Sequence, residues 1–344
     1  MALEKIYLEN FTVFDKLEIA FSPGINVFIG ENGTGKTHML KILYSFLESD
    51  TLSQNTKLLF FETLCKCFLS GNFGDLFNAA DKEQAIKISA NNKQYNYQSW
   101  NTDINAQKDK QEPPFENIEI KLHIDGERSK ESSQTAFIPA KEMLTHTGLE
   151  KDYIERYIPF DKSLVDIFFK AGLSALRTIS PEFQNILDSI REIIGGTVLF
   201  EKNKYYILHE NSKIGFQYEA EGFKKLSVLW RLIETGILSK GAVLFWDEPE
   251  VNINPQNIAM LTDMLFALQK SGIQIFIATH DYVLAKYLEL KKSSSHSVQF
   301  HSFYKHAGGI AIESKETFKD LRHNAIAEAY NKLLDDVFEE KTGG

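Results

Sequence analysis

The chain has 344 residues, 43% hydrophobic and 25% charged, a balance that excludes a disordered polymer, a collagen-like repeat and a small disulfide scaffold. The length suits about two domains, or one large α/β domain with an insertion. With 38 basic and 47 acidic side chains the formal charge is −9, which repels DNA and anionic membranes at long range and leaves nucleic acid only a local basic patch.

No apolar run reaches the ~18 residues of a membrane span, so no membrane partner is expected. The N-terminus carries Glu4 and Glu9 and has no apolar segment of a secretory signal. Cys65 and Cys67, one residue apart, fit neither a zinc knuckle nor a redox pair and are expected as helical core thiols. A cytoplasmic location follows as the expectation.

Residues 1–29 alternate as strands do, with Ile6, Leu8 and Phe11, then Leu17, Ile19 and Phe21. A turn at Ser22-Pro23-Gly24 leads into an apolar strand at 25–29. After a glycine-rich loop, Met39, Leu40, Ile42, Leu43, Phe46 and Leu47 fall on helical spacing over 37–48. Residues 50–112 read as an insertion: a helix at 58–69, a strand pair near 85–97 and a polar stretch at 101–114, expected to be mobile. Its aromatics Tyr95, Tyr97 and Trp100 are expected to form a small core.

Strands resume at 118–124 and 136–138, and residues 149–240 are expected as a helical lobe, its patterns densest over 162–194. Within it, short strands are expected at 198–200, 205–209 and 216–218, then a helix over 223–236. The apolar run 242–246 has the look of a central parallel strand. Asn254 as N-cap and Pro255 at the first position open a helix with Ile258, Leu261, Leu265 and Leu268 buried and Gly272 as its stop. A second apolar strand at 273–278 ends at Thr279-His280. Strands at 298–304 and 309–312 precede a closing helix over 317–339, with no repeat and no long heptad run.

Gly30-Glu31-Asn32-Gly33-Thr34-Gly35-Lys36-Thr37 fits G-x-x-x-x-G-K-[ST], set between a strand and a helix. Gly30, Asn32, Gly33, Thr34 and Gly35 are expected to cradle the phosphates of ATP, Lys36 to reach the β- and γ-phosphates, and Thr37 to ligate Mg²⁺. Val243-Leu244-Phe245-Trp246-Asp247-Glu248-Pro249-Glu250 puts two carboxylates at the C-terminal end of a buried strand, the edge where open α/β sheets bind ligands. Asp247 is expected to hold Mg²⁺ through water and Glu248 to orient or deprotonate the attacking water. His280 ends the next apolar strand and would share that edge, within reach of a γ-phosphate. The pairs Lys224-Lys225 and Lys291-Lys292 are expected on solvated helix faces.

Gly30 to Thr37, Asp247-Glu248-Pro249 and Ala278-Thr279-His280-Asp281, with a helical lobe between the first two, resemble the ATP-binding-cassette (ABC) ATPase superfamily. The opening Tyr7-Leu8-Glu9-Asn10-Phe11 strand resembles its branch of chromosome-maintenance, recombination and overcoming-lysogenization-defect (OLD) ATPases, and Septu-type bacterial anti-phage ATPases are similar too. The resemblance implies an α/β P-loop NTPase over 1–344, an ABC-type head with a mainly parallel core sheet, an antiparallel N-terminal subdomain and a helical lobe. It also implies a homodimer in which two heads sandwich ATP, each phosphate loop facing the other's signature motif.

The signature candidate is Glu219-Ala220-Glu221-Gly222-Phe223-Lys224-Lys225, which departs from Leu-Ser-Gly-Gly-Gln. Ala220 stands where serine would contact the γ-phosphate, leaving the Gly222 backbone and the helix N-terminus for that contact, so slow turnover is expected. Where the superfamily has a glutamine touching Mg²⁺ and water, this chain has Ala140, with Lys141 or Glu142 as replacements. Asn254 stays open between helix cap and cross-interface contact.

The expected function is an Mg·ATP-hydrolysing ABC-type ATPase that dimerises around ATP and regulates a separate effector, such as a nuclease or toxin. The chain has about the size of a minimal head without a coiled-coil arm, so a partner protein is expected, and the resemblance, with Asp-Glu-Pro-Glu after the strand, implies bacterial anti-phage defence or a toxin–antitoxin module as the setting. A nucleotide-state sensor with little hydrolysis and a DNA repair or recombination ATPase are the alternatives. The missing Leu-Ser-Gly-Gly-Gln pattern weighs against a transporter.

Overall fold

A computed structural model of the chain describes residues 2–51, 56–71, 73–76, 85–90, 93–98, 134–146, 148–156 and 158–342. The polar stretch at 101–114, the strand expected at 118–124 and the small core expected of Tyr95, Tyr97 and Trp100 lie outside what is described.

The N-terminal part comprises β1 (Lys5–Phe11), β2 (Phe14–Ala20), β3 (Ile25–Gly30), α1 (Lys36–Thr51), α2 (Thr56–Phe68), β4 (Ala85–Ala90) and β5 (Lys93–Gln98). The middle adds β6 (Thr135–Ile138), α3 (Leu149–Arg156), α4 (Lys162–Ala171), α5 (Pro181–Ile194), β7 (Thr197–Glu201), β8 (Lys204–Leu208), β9 (Lys213–Gly215) and α6 (Glu221–Glu234). The C-terminal part supplies β10 (Val243–Asp247), α7 (Ile258–Lys270), β11 (Gln274–Ala278), α8 (Tyr282–Leu290), β12 (Val298–His306), β13 (Gly309–Lys315) and α9 (Ala325–Thr342).

The central sheet runs β13-β12-β3-β11-β10-β6, parallel throughout except for the edge strand β13. Because side chains alternate across a strand, a sheet covered on both faces needs apolar residues at every position. The central strands meet that need. Ile25, Val27, Ile29, Leu244, Trp246, Ile275 and Ile277 join one core with helical residues such as Leu229, Leu265 and Leu288. Phe28, Val243, Phe245 and Phe276 face the opposite way, into a second core with Met39, Leu43 and Phe46 of α1 and with Ile6, Leu8, Leu17 and Ile19.

That second core is closed by an antiparallel sheet ordered β2-β1-β4-β5, in which Ile6 faces Ile19 and Leu8 faces Leu17. The 85–97 strand pair thus extends the N-terminal sheet rather than standing apart from it. Cys65 and Cys67 both sit on α2, and burial pushes their thiols up to about 11 and about 12, as inert core thiols require.

In the helical lobe, Asp161 caps α4 by accepting from the Ser163 N–H, and Gly195 ends α5 at φ +65°. Residues 216–218 form a 3-10 turn instead of a strand. Pairing in the small β7-β8-β9 sheet stops at Gly215, Phe216 drops into the core, and the Glu219 N–H returns to the Phe216 carbonyl at 3.1 Å. The lobe is tied to α1 by a polar network: Lys170 Nζ reaches Glu48 at 2.7 Å, Lys162 reaches Asp166 at 2.7 Å, and the Tyr44 hydroxyl donates to Asp166. Burial pushes the Glu48 carboxyl up, but Lys170 and Thr135 outweigh it and hold the group below its ordinary value. Among the described residues no helix is long and apolar enough to cross a membrane.

His301 on β12 is fully buried, edge-on to Phe28 at 5.4 Å, with Nδ1 on Ser314 Oγ at 2.7 Å and Nε2 by Asn26 Oδ1 at 3.3 Å. Burial pulls its imidazole from 6.5 down to about 3. Between those values the unfolded chain binds a proton that the folded chain does not, so stability rises with pH and is lost on acidification below 6.5. The loss from this one group amounts to about 2 kcal/mol at pH 5. In urea unfolding at pH 7.5 and pH 5, His301→Gln should show a correspondingly smaller pH dependence than the parent, and an equal dependence would rule His301 out as the acid-sensitive group.

Candidate functional site

Gly30 closes β3, and the chain turns through residues 31–35 before α1 begins at Lys36. Gly35, at φ +91°, lies so near the β1–β2 hairpin that a Cβ there would stand 2.6 Å from both Val13 and Phe14, so a larger residue would push the hairpin tip off the loop. Thr34 is fully buried beneath the loop, its hydroxyl donating to the Glu31 carbonyl at 2.8 Å. Lys36 Nζ folds along the loop, donating to the carbonyls of Gly30 at 2.9 Å and Glu31 at 2.7 Å. Burial pulls its ammonium down to about 8, against the opposing carboxylates of Asp247, Glu248 and Glu31.

Parallel register brings the second half of the site to the same edge. Asp247 stands opposite Ala278, and Ala278 opposite Phe28 of the loop-bearing strand. Thr37 Oγ1 donates to the Asp247 carboxylate at 3.0 Å, and burial pushes that carboxyl up to about 6 although the Thr37 hydrogen bond opposes it. A buried carboxylate this poorly compensated gains from any cation placed beside it, and the Thr37–Asp247 oxygen pair is the hard donor set that Mg²⁺ favours.

Glu248 follows in a left-handed conformation, φ +48°, with its N–H on the Ala278 carbonyl at 2.8 Å. Its Oε1 lies 4.0 Å from His280 Nε2. Burial and the neighbouring Lys36 lower the His280 imidazole while Glu248 opposes them, so near neutral pH the ring is neutral and can give or take a hydrogen bond.

These groups border one cleft of about 330 Å³, lined by Asn32, Gly33, Gly35, Lys36, Thr37, Asp247, Glu248 and His280. Gly30 and Thr34 hold the loop from below and do not line it. Val13 and His38 line it as well and escaped the sequence reading. Adjacency to Thr37 was a usable signal for His38, whereas Val13 arrives only because the hairpin folds over the loop.

Gly222 lies elsewhere, at the start of α6, where a Cβ would meet the Asn252 carbonyl at 2.3 Å. Ala220, the N-cap, is exposed and gives no side-chain bond, so the N-terminal N–H groups of α6 have no cap from it. Lys224 and Lys225 are buried, contrary to the solvated face expected of them: Lys224 pairs with Glu221 at 2.6 Å, and Lys225 Nζ donates to the Glu248 carbonyl. Burial pulls Lys225 down to about 8 against Glu250, Glu248 and Asp247.

Lys291 and Lys292 are likewise engaged within the chain, Lys291 with Asp263 at 2.6 Å and Lys292 with the Glu316 carbonyl at 3.1 Å. Asn254 acts as a cap, accepting from the Gln256 N–H at 3.0 Å, although the turn it caps is 3-10 and α7 starts at Ile258. Ala140, Lys141 and Glu142 do not line the cleft, and Glu142 is occupied by the Thr145 N–H at 3.2 Å.

Two family models match the chain: "AAA ATPase domain" over residues 1–134 and "AAA domain, putative AbiEii toxin, Type IV TA system" over residues 96–286. The DNA replication and repair protein RecF of Listeria welshimeri is 54% identical over 41 residues, a span of 12% of this chain and 11% of that protein. RecF of Oceanobacillus iheyensis is 43% identical over 61 residues, covering 17% of this chain and 16% of that protein.

Among solved structures, an SMC head bound to the C-terminal winged-helix domain of ScpA is similar at a TM-score of 0.56 and 13% identity, covering 93% of this chain and 100% of that one. The SMC head domain from Thermotoga maritima gives a TM-score of 0.50 at 13% identity, covering 92% and 100%. That likeness shows the fold: a P-loop ATPase with a mainly parallel core, of the kind SMC heads have. Since the second family model spans more than half of its residues, the chain belongs to that AAA-domain family, with the fold of a P-loop ATPase.

Proposed function

We propose that the chain binds and hydrolyses Mg·ATP, closes as a homodimer around the nucleotide, and through that closure controls a separately encoded effector in anti-phage defence or a toxin–antitoxin module. The observation that carries this reading is the convergence of Lys36, Thr37, Asp247, Glu248 and His280 on one cleft at one sheet edge. The loop's N–H groups and Lys36 hold the phosphates, and Thr37 with Asp247 holds Mg²⁺, which when bound neutralises phosphate charge. Glu248 accepts the proton of the attacking water or orients it, and His280 bonds a γ-phosphate oxygen. Across the dimer, the uncapped N-terminus of α6, with the Gly222 backbone, faces the other head's γ-phosphate. Turnover is slow because Ala220 offers no hydroxyl there.

The family description, with its type IV toxin–antitoxin wording, supports the toxin–antitoxin setting of this reading. Sizing of a Glu248→Gln protein by light scattering, with and without Mg·ATP, tests the sandwich. A shift from one chain mass to two is expected only with Mg·ATP, and a monomer in both conditions would overturn the dimer mechanism.

A second reading, an ATPase acting directly on DNA, is favoured by the RecF similarity, since those relatives are named for DNA replication and repair. The charge of −9 and the internal engagement of Lys224, Lys225, Lys291 and Lys292 weigh against it. Filter binding across a salt series decides: affinity that weakens steeply with salt would favour the DNA reading, and its absence near physiological salt would remove it.

A further inference from the structure

We propose that Glu250, acting through the Thr279 hydroxyl, is a positioning residue that fixes the Glu248–His280 pair. This inference rests on the ATPase reading of that cleft. Glu250 is the third carboxylate of the Asp247-Glu248-Pro249-Glu250 run, and it does not line the cleft, so it has no direct route to a nucleotide. Its Oε1 accepts from Thr279 Oγ1 at 2.7 Å, and Thr279 Oγ1 in turn accepts from the Asp281 N–H at 2.9 Å. His280 is therefore bracketed on both sides by one fully buried hydroxyl whose orientation Glu250 sets.

The loop after β10 needs such a hold. Glu248 sits at φ +48°, a conformation that side-chain-bearing residues rarely adopt, and it persists only where surroundings over-determine it. Its N–H is held by the Ala278 carbonyl at 2.8 Å and its carbonyl by Lys225 Nζ. Those two bonds fix the Glu248 backbone, while the Glu250–Thr279 bond ties the loop bearing Glu248 to the loop bearing His280. The other carboxylate oxygen, Oε2, is buried without a hydrogen-bond partner among the described residues. A buried carboxylate left half-satisfied adds little to stability, so the role that its one hydrogen bond can fill is placement of the neighbouring pair. Burial pushes Glu250 up to about 7, with Thr279 and Lys225 pulling the other way.

The test uses the full chain. Thr279→Val deletes the hydroxyl at constant volume, and Glu250→Ala deletes its acceptor. Each should lower kcat for Mg·ATP about tenfold with KM within twofold, because nucleotide contacts remain while the reacting geometry loosens. The double variant should be no slower than either single, and Thr279→Ser should recover the parent rate to within threefold.

A readout independent of turnover is the His280 Cε1–Hε1 NMR cross-peak, assigned by its loss in His280→Gln. It should move in Thr279→Val and Glu250→Ala and stay put in Thr279→Ser. If Glu250→Ala does not fold, Thr279→Val decides alone. Parent-like kcat with an unmoved cross-peak overturns the proposal. A parent chain that does not hydrolyse ATP at all sinks the ATPase reading instead, while the cross-peak still decides whether Glu250 places His280.

Discussion

Glu248→Gln is expected to lower kcat for ATP hydrolysis by about 10²–10⁴-fold, the range that a positioned general base contributes, with nucleotide affinity within threefold of the parent. The amide keeps the shape of the side chain and its place 4.0 Å from His280, but it cannot take a proton from water. Binding should be spared because, in the proposed mode, the loop and Lys36 would hold the phosphates, and the hydrogen bonds of Lys36 Nζ run to the Gly30 and Glu31 carbonyls rather than to Glu248. Phosphate release under single-turnover conditions, beside titration with a fluorescent ATP analogue, separates the two effects. Equal turnover in parent and variant would pass water activation to another group or, if both are at background, favour the nucleotide-sensor alternative.

The parts of this site that the sequence announces are those whose chemistry constrains adjacent residues. A loop that must point backbone N–H groups at phosphates needs glycine at defined places and a lysine and a threonine directly after, so residues 30–37 can be read without neighbours. The runs ending at Asp247 and at Thr279-His280 are equally legible, because a strand buried on both faces must be apolar at every position up to the edge. Adjacent buried strands then place their first polar residues side by side.

What escapes is set by long-range contact. Lys224-Lys225 resembles a solvated pair because nothing local tells a buried ammonium from an exposed one. The partner of Lys225, the Glu248 carbonyl, is 23 residues away. Val13 reaches the cleft through a hairpin folded over the glycine-rich loop, and β4 pairs with β1 across some eighty residues of chain. The order β13-β12-β3-β11-β10-β6 is likewise invisible to periodicity, which reports how each strand is buried but not which strand covers it. Residues 216–218 show the reverse failure: a short apolar-polar alternation fits a strand, yet the turn that delivers α6 takes those residues.

Arg231→Ala should destabilise the chain by about 3–5 kcal/mol, as removal of one partner from a buried, hydrogen-bonded charge does. Arg231 is 4% exposed on α6; its Nε donates to the Ala171 carbonyl at 3.0 Å and Nη2 to the Leu173 carbonyl at 2.8 Å, while Nη1 pairs with Glu234. The guanidinium also lies 5.4 Å over the Phe200 ring. Of its two carbonyl partners, Ala171 ends α4, where helix carbonyls have no intrahelical donor, and Leu173 lies two residues beyond, so alanine leaves both unmatched beside a carboxylate that has lost its cation. Lysine presents one ammonium instead of a planar fork and should recover less than half of the loss.

Urea unfolding at constant m reads both variants, and a parent-like Arg231→Lys would mean that charge alone, without the fork, holds the loop at 172–180. The consequence reaches the cleft. The same helix that carries Arg231 delivers Gly222 against Asn252 and Lys225 against the Glu248 carbonyl. Loosening its far end should therefore slow hydrolysis before it weakens nucleotide binding, because Lys36 and Thr37 are anchored in α1, on the other side of the sheet.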